Sequence, residues 1–463
     1  MMRPLTRLGR HASAPMRLLA ALAVVVLVSA APLAAQQIDT GRADFTRYVA
    51  VGDSLSAGFS SFGWISDVQV NSFPALIHLQ ATGTRNNFPQ PLMGAPGIPA
   101  PLKLRSLSPL LLTPDAGLGT PLNLFLNRPY SNLAIPGATV SDTLRTVTDN
   151  GGLHDLVLRG AGTALQQALF QQPTFITLWI GNNDALAATI AGQVVEGTTL
   201  TRLADFERDY RAVASALAST GAGLVIANIP DVATIPFLRA IPPVVINPAT
   251  NQPVLVNGQP VFLIGPNGPL RPTDSPTLFA ANLLAQGIGI PQALGGTGQP
   301  LPDNVVISAE EAATISNRVR QFNNVIATVA RELGASFVDA NALLSNLQQN
   351  PVIYGGIEYG VDFLTGGIIS YDGIHPAPFG YAFVANEFIR VINRDFGAKI
   401  PMVDLYPFVF GSGSAQLPVS AGQASQVTIP ESAFDSLRWA LDVPRPKPSK
   451  PGKKPKKPKG SKK

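Results

Sequence analysis

The sequence contains no cysteine among its 463 residues. This absence excludes disulfide bonds, a thiolate nucleophile and a cysteine-ligated zinc site. It also excludes a lipoprotein that is anchored through a cysteine after an export signal. Candidate reactive groups must therefore be sought among the other side chains.

Charged residues are scarce, at 14% against 46% hydrophobic, and the net charge of +5 is unevenly distributed. Four arginines lie in the first 35 residues, and one arginine and nine lysines follow Pro444. The rest of the chain has 20 basic residues against 29 acidic ones, a net charge of −9. Because nucleic acid binding needs a surplus of Lys and Arg, we expect the folded part not to bind it.

The N-terminus has the pattern of an export signal. Residues 16–37 (MRLLAALAVVVLVSAAPLAAQQ) begin with a positive charge, continue with an apolar run and end in small residues. We predict a signal peptide over residues 1–35 and a periplasmic, cell-surface or extracellular mature protein. A retained membrane anchor is the alternative, but the apolar run is short for a bilayer span.

The C-terminal end differs in composition from the rest. Residues 405–444 form a short extension with a predicted helix over 430–441. Residues 445–463 (RPKPSKPGKKPKKPKGSKK) have the composition of a disordered basic tail. The tail is either simply solvated or attaches electrostatically to anionic components of the cell envelope.

The region from 40 to 404 alternates short apolar strands with amphipathic helices, which predicts an α/β sandwich on a parallel sheet. One helix has Phe206, Tyr210, Val213 and Leu217 on one face. A longer one begins at a capping box formed by Ser308 and the glutamate three residues later. The predicted strands are 47–51, 174–180, 223–229 and 335–340, with a weaker one at 130–135.

Two stretches interrupt this alternation. Residues 60–129 are rich in Pro, Leu and Gly, and residues 236–303 contain an Asn257-Gly258 pair, a strong hairpin signal. We interpret both as insertions, the second lying over one end of the sheet.

Ser54 follows the first predicted strand in YVAVGDSLSAGF, at residues 48–59. Parallel sheets bind ligands at the carboxyl ends of their strands, and a helix that starts there offers an unpaired N–H group. A serine hydroxyl at this place is a candidate nucleophile, which needs a base within hydrogen-bond reach.

The base is found by elimination among four histidines. His11 lies in the export signal, and His78 and His154 have no acid at a spacing suited to orienting the ring. His375 has Asp372 three residues before it, so one loop can place both side chains together. The predicted triad is therefore Ser54, Asp372 and His375. The Gly-x-Ser-x-Gly elbow of α/β-hydrolases is absent.

An oxyanion intermediate needs preorganised donors. Gly137 stands at a strand end, where its backbone amide can be approached closely, and Asn183 follows another strand with a side-chain amide. Together with the Ser54 amide these residues form the candidate oxyanion hole.

These segments resemble, in order, the conserved blocks of the GDSL or SGNH hydrolases: GDSL at 52–55, IPGAT around Gly137, GNND at 181–184 and DGIHP at 372–376. The resemblance implies Ser54 as nucleophile, Gly137 and Asn183 as oxyanion donors, and Asp372 and His375 as the dyad. It also implies a three-layer flavodoxin-like fold and ester hydrolysis through an acyl-enzyme, with no cofactor or metal.

The sequence thus predicts a secreted serine ester hydrolase of lipase or esterase type. The apolar segment 253–270 and the aromatic residues Phe59, Phe62 and Trp64 favour an acyl or lipid-like substrate. The alternatives are a polysaccharide O-acetyl esterase and a catalytically silent surface-binding protein. A metal-dependent phosphoesterase is disfavoured, because paired histidine ligands and a phosphate-binding glycine loop are missing.

Overall fold

The computed structural model describes residues 38–409 and 417–443. The predicted export signal and basic tail lie outside these residues and stay predictions. The boundary of the hydrolase region at 40–404 likewise stays a prediction. None of the helices in the described ranges is both long and apolar enough to cross a membrane.

The described residues form short strands and helices throughout. The strands are β1 (Tyr48–Gly52), β2 (Leu102–Leu107), β3 (Leu110–Pro114), β4 (Phe175–Trp179), β5 (Gly223–Ala227), β6 (Ile246–Asn247), β7 (Gln252–Pro253), β8 (Leu255–Val256), β9 (Gln259–Pro260), β10 (Ile264–Gly265), β11 (Gly268–Pro269), β12 (Ser275–Pro276), β13 (Val306–Ile307), β14 (Ser336–Val338), β15 (Val352–Tyr354) and β16 (Ile357–Tyr359). The helices are α1 (Ser54–Ala57), α2 (Ser66–Gln69), α3 (Phe73–Thr82), α4 (Val140–Arg145), α5 (Leu153–Leu158), α6 (Ala164–Phe170), α7 (Asn183–Ala191), α8 (Leu203–Ala218), α9 (Pro236–Arg239), α10 (Ala280–Ala285), α11 (Ala309–Glu332), α12 (Ala340–Gln349), α13 (Pro378–Phe396), α14 (Tyr406–Val409), α15 (Ala421–Ala424) and α16 (Glu431–Ala440).

The central sheet is parallel and has the order β1-β4-β5-β14. Residues 131–133 extend it beyond β1, since Ala50 N donates to Ser131 O at 2.8 Å and Leu133 N donates to Ala50 O at 2.9 Å. Asn132 forms a parallel bridge with Ala50. In chain order the five segments read 2-1-3-4-5, the flavodoxin-like arrangement. The predicted fold class is confirmed, and the weaker strand at 130–135 is reduced to this bridge.

The strands alternate their side chains between two helical layers, because successive residues of a strand point to opposite faces. Tyr48 and Ala50 pack in one core cluster, which contains residues of α3 and α13. Val49 and Val51 pack in another, which contains residues of α4, α6, α8 and α11. The result is a three-layer α/β/α sandwich.

Local sequence signals gave several elements correctly. The Ser308–Glu311 capping box is present at the start of α11, with both reciprocal hydrogen bonds. Asn257 and Gly258 have φ values of 52° and 76° and join the antiparallel pair β8–β9, as expected for their turn type. The helix predicted near the C-terminus is α16.

Residues 417–443 pack onto the sandwich itself. Phe434 and Leu437 of α16 belong to the same core cluster as the β1 residues Val49 and Val51. Thr428 pairs with the β2–β3 hairpin, because its N–H donates to Leu110 O at 2.9 Å. This C-terminal segment is therefore part of the folded core and packs against the first insertion.

Candidate active site

The loop after β1 places the serine hydroxyl. Asp53 caps the single turn of α1 by accepting the Leu55 N–H on its side chain at 3.1 Å, and Ser54 is the first residue of that turn. Only 2% of Ser54 is exposed. The Ser54 N–H has no acceptor among the described residues, as expected for the first N–H of a helix.

Asp372 and His375 meet Ser54 from a loop just before α13. His375 Nε2 lies 2.9 Å from Ser54 Oγ, and His375 Nδ1 lies 2.9 Å from Asp372 Oδ2. Both side chains of the dyad are fully buried. Because an ionised carboxylate only accepts hydrogen bonds, Nδ1 carries the ring proton and Nε2 is left to accept from the serine.

The Asp372 carboxylate is surrounded by donors. Besides the imidazole, it accepts the main-chain N–H groups of Ile374 and His375 at 2.8 Å each and of Phe62 at 3.0 Å. Burial alone raises its pKa, but the His375 imidazole and these N–H groups outweigh burial and hold the pKa below its usual value. The aspartate is therefore kept ionised at neutral pH.

Gly137 and Asn183 lie in segments that are tied together. Asn183 Nδ2 donates to Ala138 O at 2.9 Å, and Asp184 Oδ2 accepts from Val140 N at 3.0 Å. The loop from Gly137 into α4 is thus fixed by the first two residues of α7. Gly137 has φ +87°, and its N–H has no acceptor among the described residues.

Two further carboxylates are buried at these strand ends. Burial raises the pKa of Asp53 to about 6, although Asn182 Nδ2 donates to it at 2.7 Å. Burial likewise raises the pKa of Asp184 to about 7, against the stabilising Val140 N–H. Both residues belong to the quoted GDSL and GNND segments, yet sequence reasoning gave neither of them a role.

An apolar cleft reaches Ser54 and His375. It contains about 790 Å³ of space free of protein atoms, including the part open to solvent. It lies between α12, α13 and the loops beside them, and most of its lining side chains are apolar. These include Leu343, Leu344, Leu347, Ile369, Phe383 and Val384.

A family model for the GDSL-like lipase/acylhydrolases matches residues 48–388. The chain belongs to that family. The match spans all four segments that carry the candidate site residues, from GDSL to DGIHP.

Among solved structures, the chain is similar to several esterases and hydrolases at low identity. A catalytic mutant of an acetylxylan esterase from Geobacillus stearothermophilus is 13% identical, with 74% of this chain and 93% of that chain covered and a TM-score of 0.34. An α/β hydrolase from the metagenome of Lake Arreo is 12% identical (76% and 96% covered, TM-score 0.35). A lipase/acylhydrolase from Enterococcus faecalis is 12% identical (77% and 100% covered, TM-score 0.31). A search of curated proteins returned no match.

One expectation about the histidines is wrong. His154 does have an orienting acid, because its Nδ1 lies 3.1 Å from Asp149 Oδ2. The same carboxylate accepts the N–H groups of Gly152 and His154 at the start of α5. Asp149, five residues before His154, thus organises the start of α5. His78 lies in α3, as expected for a structural residue, and its Nε2 contacts Asn86 O at 2.7 Å.

The interpretation of the apolar insertion is also corrected. Residues 253–270 do not line the cleft, and Leu255 and Val256 are more than half exposed. Phe59, Phe62 and Trp64 are buried as part of the core, although the Phe59 ring centroid lies 4.9 Å from that of His375. The cleft is instead lined in part by the helices α12 and α13, which follow β14 and the loop of Asp372 and His375. Their role could not be read from amphipathic patterns, which are equally typical of ordinary core helices.

Proposed function

We propose that this family member hydrolyses carboxylic esters through an acyl-enzyme on Ser54. The observation that carries the proposal is the continuous, buried chain of contacts from Asp372 through His375 to Ser54, with both distances at 2.9 Å. Burial strengthens such contacts, because water does not compete for the donors and acceptors.

In the first half-reaction, Ser54 Oγ attacks the ester carbonyl while His375 Nε2 takes the hydroxyl proton. Asp372 holds the ring in the tautomer that can accept this proton and stabilises the imidazolium that forms. The Ser54 N–H, the Gly137 N–H and the Asn183 side-chain amide stabilise the negative charge on the former carbonyl oxygen. His375 then gives its proton to the departing alcohol.

In the second half-reaction, His375 takes a proton from water while the water oxygen attacks the acyl carbon. The bond from the acyl carbon to Ser54 Oγ then breaks, His375 gives its proton to Oγ, and the acid is released. All protons pass through the one imidazole.

The apolar cleft supports an ester with an apolar acyl group as substrate. Its walls are mainly Leu, Ile, Val and Phe side chains, so burying a hydrocarbon chain there is favourable by about 0.8 kcal/mol per CH₂ group. Recognition of a polysaccharide would call for exposed polar groups beside the nucleophile, whereas Ser54 is 2% exposed in its apolar surroundings. We therefore favour an acyl esterase or lipase over a polysaccharide O-acetyl esterase.

We further propose that the enzyme is exported, on the basis of the signal-like pattern of residues 1–35. Mass spectrometry of the protein made by its native host tests this directly. An N-terminus close to residue 36 in the mature form is expected. An intact residue 1–35 segment on protein retained in the cytoplasm would contradict export.

The decisive experiment combines covalent labelling with an ester panel. A fluorophosphonate probe should label the wild-type protein and not Ser54→Ala, and hydrolysis of p-nitrophenyl esters should be lost in the same variant. Octanoate should be cleaved with a higher kcat/KM than acetate. A strict preference for acetate would favour the O-acetyl esterase, and a protein that neither labels nor hydrolyses would indicate the surface-binding alternative.

A further inference from the structure

A tight turn at the start of the first insertion lies against the catalytic loop. Ser60 and Gly63 exchange two main-chain hydrogen bonds of 2.9 Å. Between them, Ser61 and Phe62 have φ values of 55° and 64°. Left-handed conformations at two successive non-glycine residues are unfavourable, so surrounding contacts must hold this turn in place.

The turn makes four hydrogen bonds with residues 370–376. Three of them fasten the loop on either side of the dyad: Ser61 N donates to Ser370 Oγ at 2.8 Å, Tyr371 N donates to Ser61 Oγ at 3.3 Å, and Ser60 Oγ donates to Pro376 O at 3.0 Å. The fourth reaches the dyad itself, since Phe62 N donates to Asp372 Oδ2 at 3.0 Å. This is the carboxylate oxygen that also contacts His375 Nδ1.

The ring of Phe62 is held from the far end of the chain. It is 1% exposed and packs edge-on against Phe434 of α16, with the ring centroids 5.8 Å apart. Phe434 is fully buried and also meets Phe279 of the second insertion, at 4.7 Å. Packing of this kind in a filled core resists movement of the backbone that carries the ring.

We propose that Phe62 is a positioning residue for catalysis, whose main-chain N–H orients the Asp372 carboxylate while its ring is fixed by Phe434 of the C-terminal helix. The inference rests on the proposed function of Ser54, His375 and Asp372. It gives residues 431–440 a part in turnover although they supply no reacting atom. The first insertion and the C-terminal segment thereby act on the same carboxylate.

The pH dependence of turnover should report this contact. The groups that face Asp372 are the His375 imidazole and the Tyr381 hydroxyl, and Asp53 acts on both His375 and Tyr381. The Phe62 N–H lowers the pKa of Asp372. A displaced N–H removes one donor from the Asp372 carboxylate and lets its pKa rise. Because this carboxylate and the His375 imidazole share a hydrogen bond and titrate as a coupled pair, the acid limb of kcat/KM moves upward.

The experiment compares Phe62→Ala and Phe434→Ala with Phe62→Leu and Phe434→Leu on p-nitrophenyl acetate. The matched control is Phe322→Ala, since Phe322 is equally buried but stacks on Phe206 in the helical layer of α8 and α11. We expect both test alanines to lower kcat on the order of tenfold with little change in KM, and to move the acid limb to higher pH. The leucine variants should recover most of this loss, and Phe322→Ala should lose thermal stability alone.

Folded Phe62 and Phe434 variants with the kcat and pH profile of the Phe322 control would overturn the inference. Should the alanine variants not fold, Phe62→Leu and Phe434→Leu are compared with Phe322→Leu by kcat and by the pH profile. We then expect a smaller upward shift of the acid limb in the first two variants. A pH profile equal to that of Phe322→Leu would contradict the inference. Activity that persists in Ser54→Ala would instead refute the proposed function. An inactive Ser54→Ala together with unaffected Phe62 and Phe434 variants refutes this inference alone.

Discussion

The side-chain amide of Asn183 donates to the carbonyl oxygen of Ala138 at 2.9 Å, one residue beyond Gly137. This bond joins the loop after residues 131–133 to the start of α7 after β4, two segments that flank β1 in the sheet. Its geometry leaves the second amide hydrogen of Asn183 Nδ2 for the proposed oxyanion. Asn183 therefore holds the glycine loop, and in the proposed mechanism it also supplies a donor to the oxyanion.

Replacing Asn183 with alanine should lower kcat about 10²- to 10³-fold, because one donor to the transition-state oxyanion is lost. KM for p-nitrophenyl butyrate should change much less, since that oxygen is uncharged in the bound ester. Steady-state kinetics on the purified variant measure both constants. An effect confined to KM would show that Asn183 binds substrate rather than stabilising the oxyanion.

Gly137→Ala should destabilise the fold and reduce turnover together. A Cβ at this residue would lie 2.8 Å from Ala440 O and 2.9 Å from the Leu441 backbone, at a φ of +87°. The left-handed strain costs about 1–3 kcal/mol, and the clash with the C-terminal segment adds to it. Gly117→Ala is the matched control, since Gly117 has φ +97° and open space around its Cβ direction. Equal losses of Tm in the two variants would contradict close packing over Gly137.

Asp372→Asn should leave the fold intact and lower kcat about 10⁴-fold. The amide donates a hydrogen bond to Nδ1 and so stabilises the tautomer in which Nε2 carries the proton. That tautomer cannot accept the Ser54 hydroxyl proton. The turnover of p-nitrophenyl acetate measures the loss of kcat, and a thermal melt checks that the fold is intact. A loss of less than tenfold would mean that another group orients His375.

Asp184→Asn should change how stability depends on pH. Burial raises the pKa of Asp184 to about 7 in the folded protein, so the protonated form is favoured on folding. Its contribution to stability is fully present below the unfolded pKa of about 3.9 and is lost as pH rises through about 7. The Tm of the wild type relative to Asp184→Asn should therefore fall between about pH 4 and pH 7. The exposed Asp67→Asn serves as control, and parallel Tm curves for wild type and Asp184→Asn would contradict the raised pKa.

Leu344→Trp should shift the chain-length preference towards short esters. Leu344 lines the cleft between α12 and α13, and a larger ring there fills space that an acyl chain would use. We expect kcat/KM for octanoate to fall at least about tenfold, which is the loss of roughly two buried CH₂ groups, while acetate is affected little. Leu255→Trp on the exposed β8–β9 hairpin is the control. A larger loss of kcat/KM for octanoate in Leu255→Trp than in Leu344→Trp would indicate that the acyl chain binds at the second insertion.

Much of the site was predictable from the sequence because its parts stand next to local signals. Ser54 and Asn183 each follow a short apolar strand, Gly137 follows an apolar segment that bridges to β1, and the carboxyl ends of parallel strands share one edge. Asp372 and His375 are three residues apart, so their contact needs only a suitable loop. The helix capping box and the Asn257-Gly258 hairpin are likewise set by neighbouring residues.

The prediction failed where a contact depends on the shape of a turn or on the packing of separate elements, for which the sequence has no local signal. His154 meets Asp149 through a turn whose shape the sequence does not specify, and residues 131–133 pair with β1 over only a short bridge. The cleft needed the relative placement of α12 and α13. The apolar hairpin that suggested an acyl site lies elsewhere because exposure depends on what packs over a segment, not on its composition.

The sequence by itself determined the candidate reacting groups, their order along the chain and the alternation of strands and helices, since each depends on residue type and short spacing. Only the tertiary structure decided that the Phe62 N–H reaches Asp372 and that the segment around Leu441 lies over Gly137. The first of these contacts spans about three hundred residues. It exists because the packing of whole layers fixes the distance between Phe62 and Asp372, and no periodicity in the chain encodes that distance.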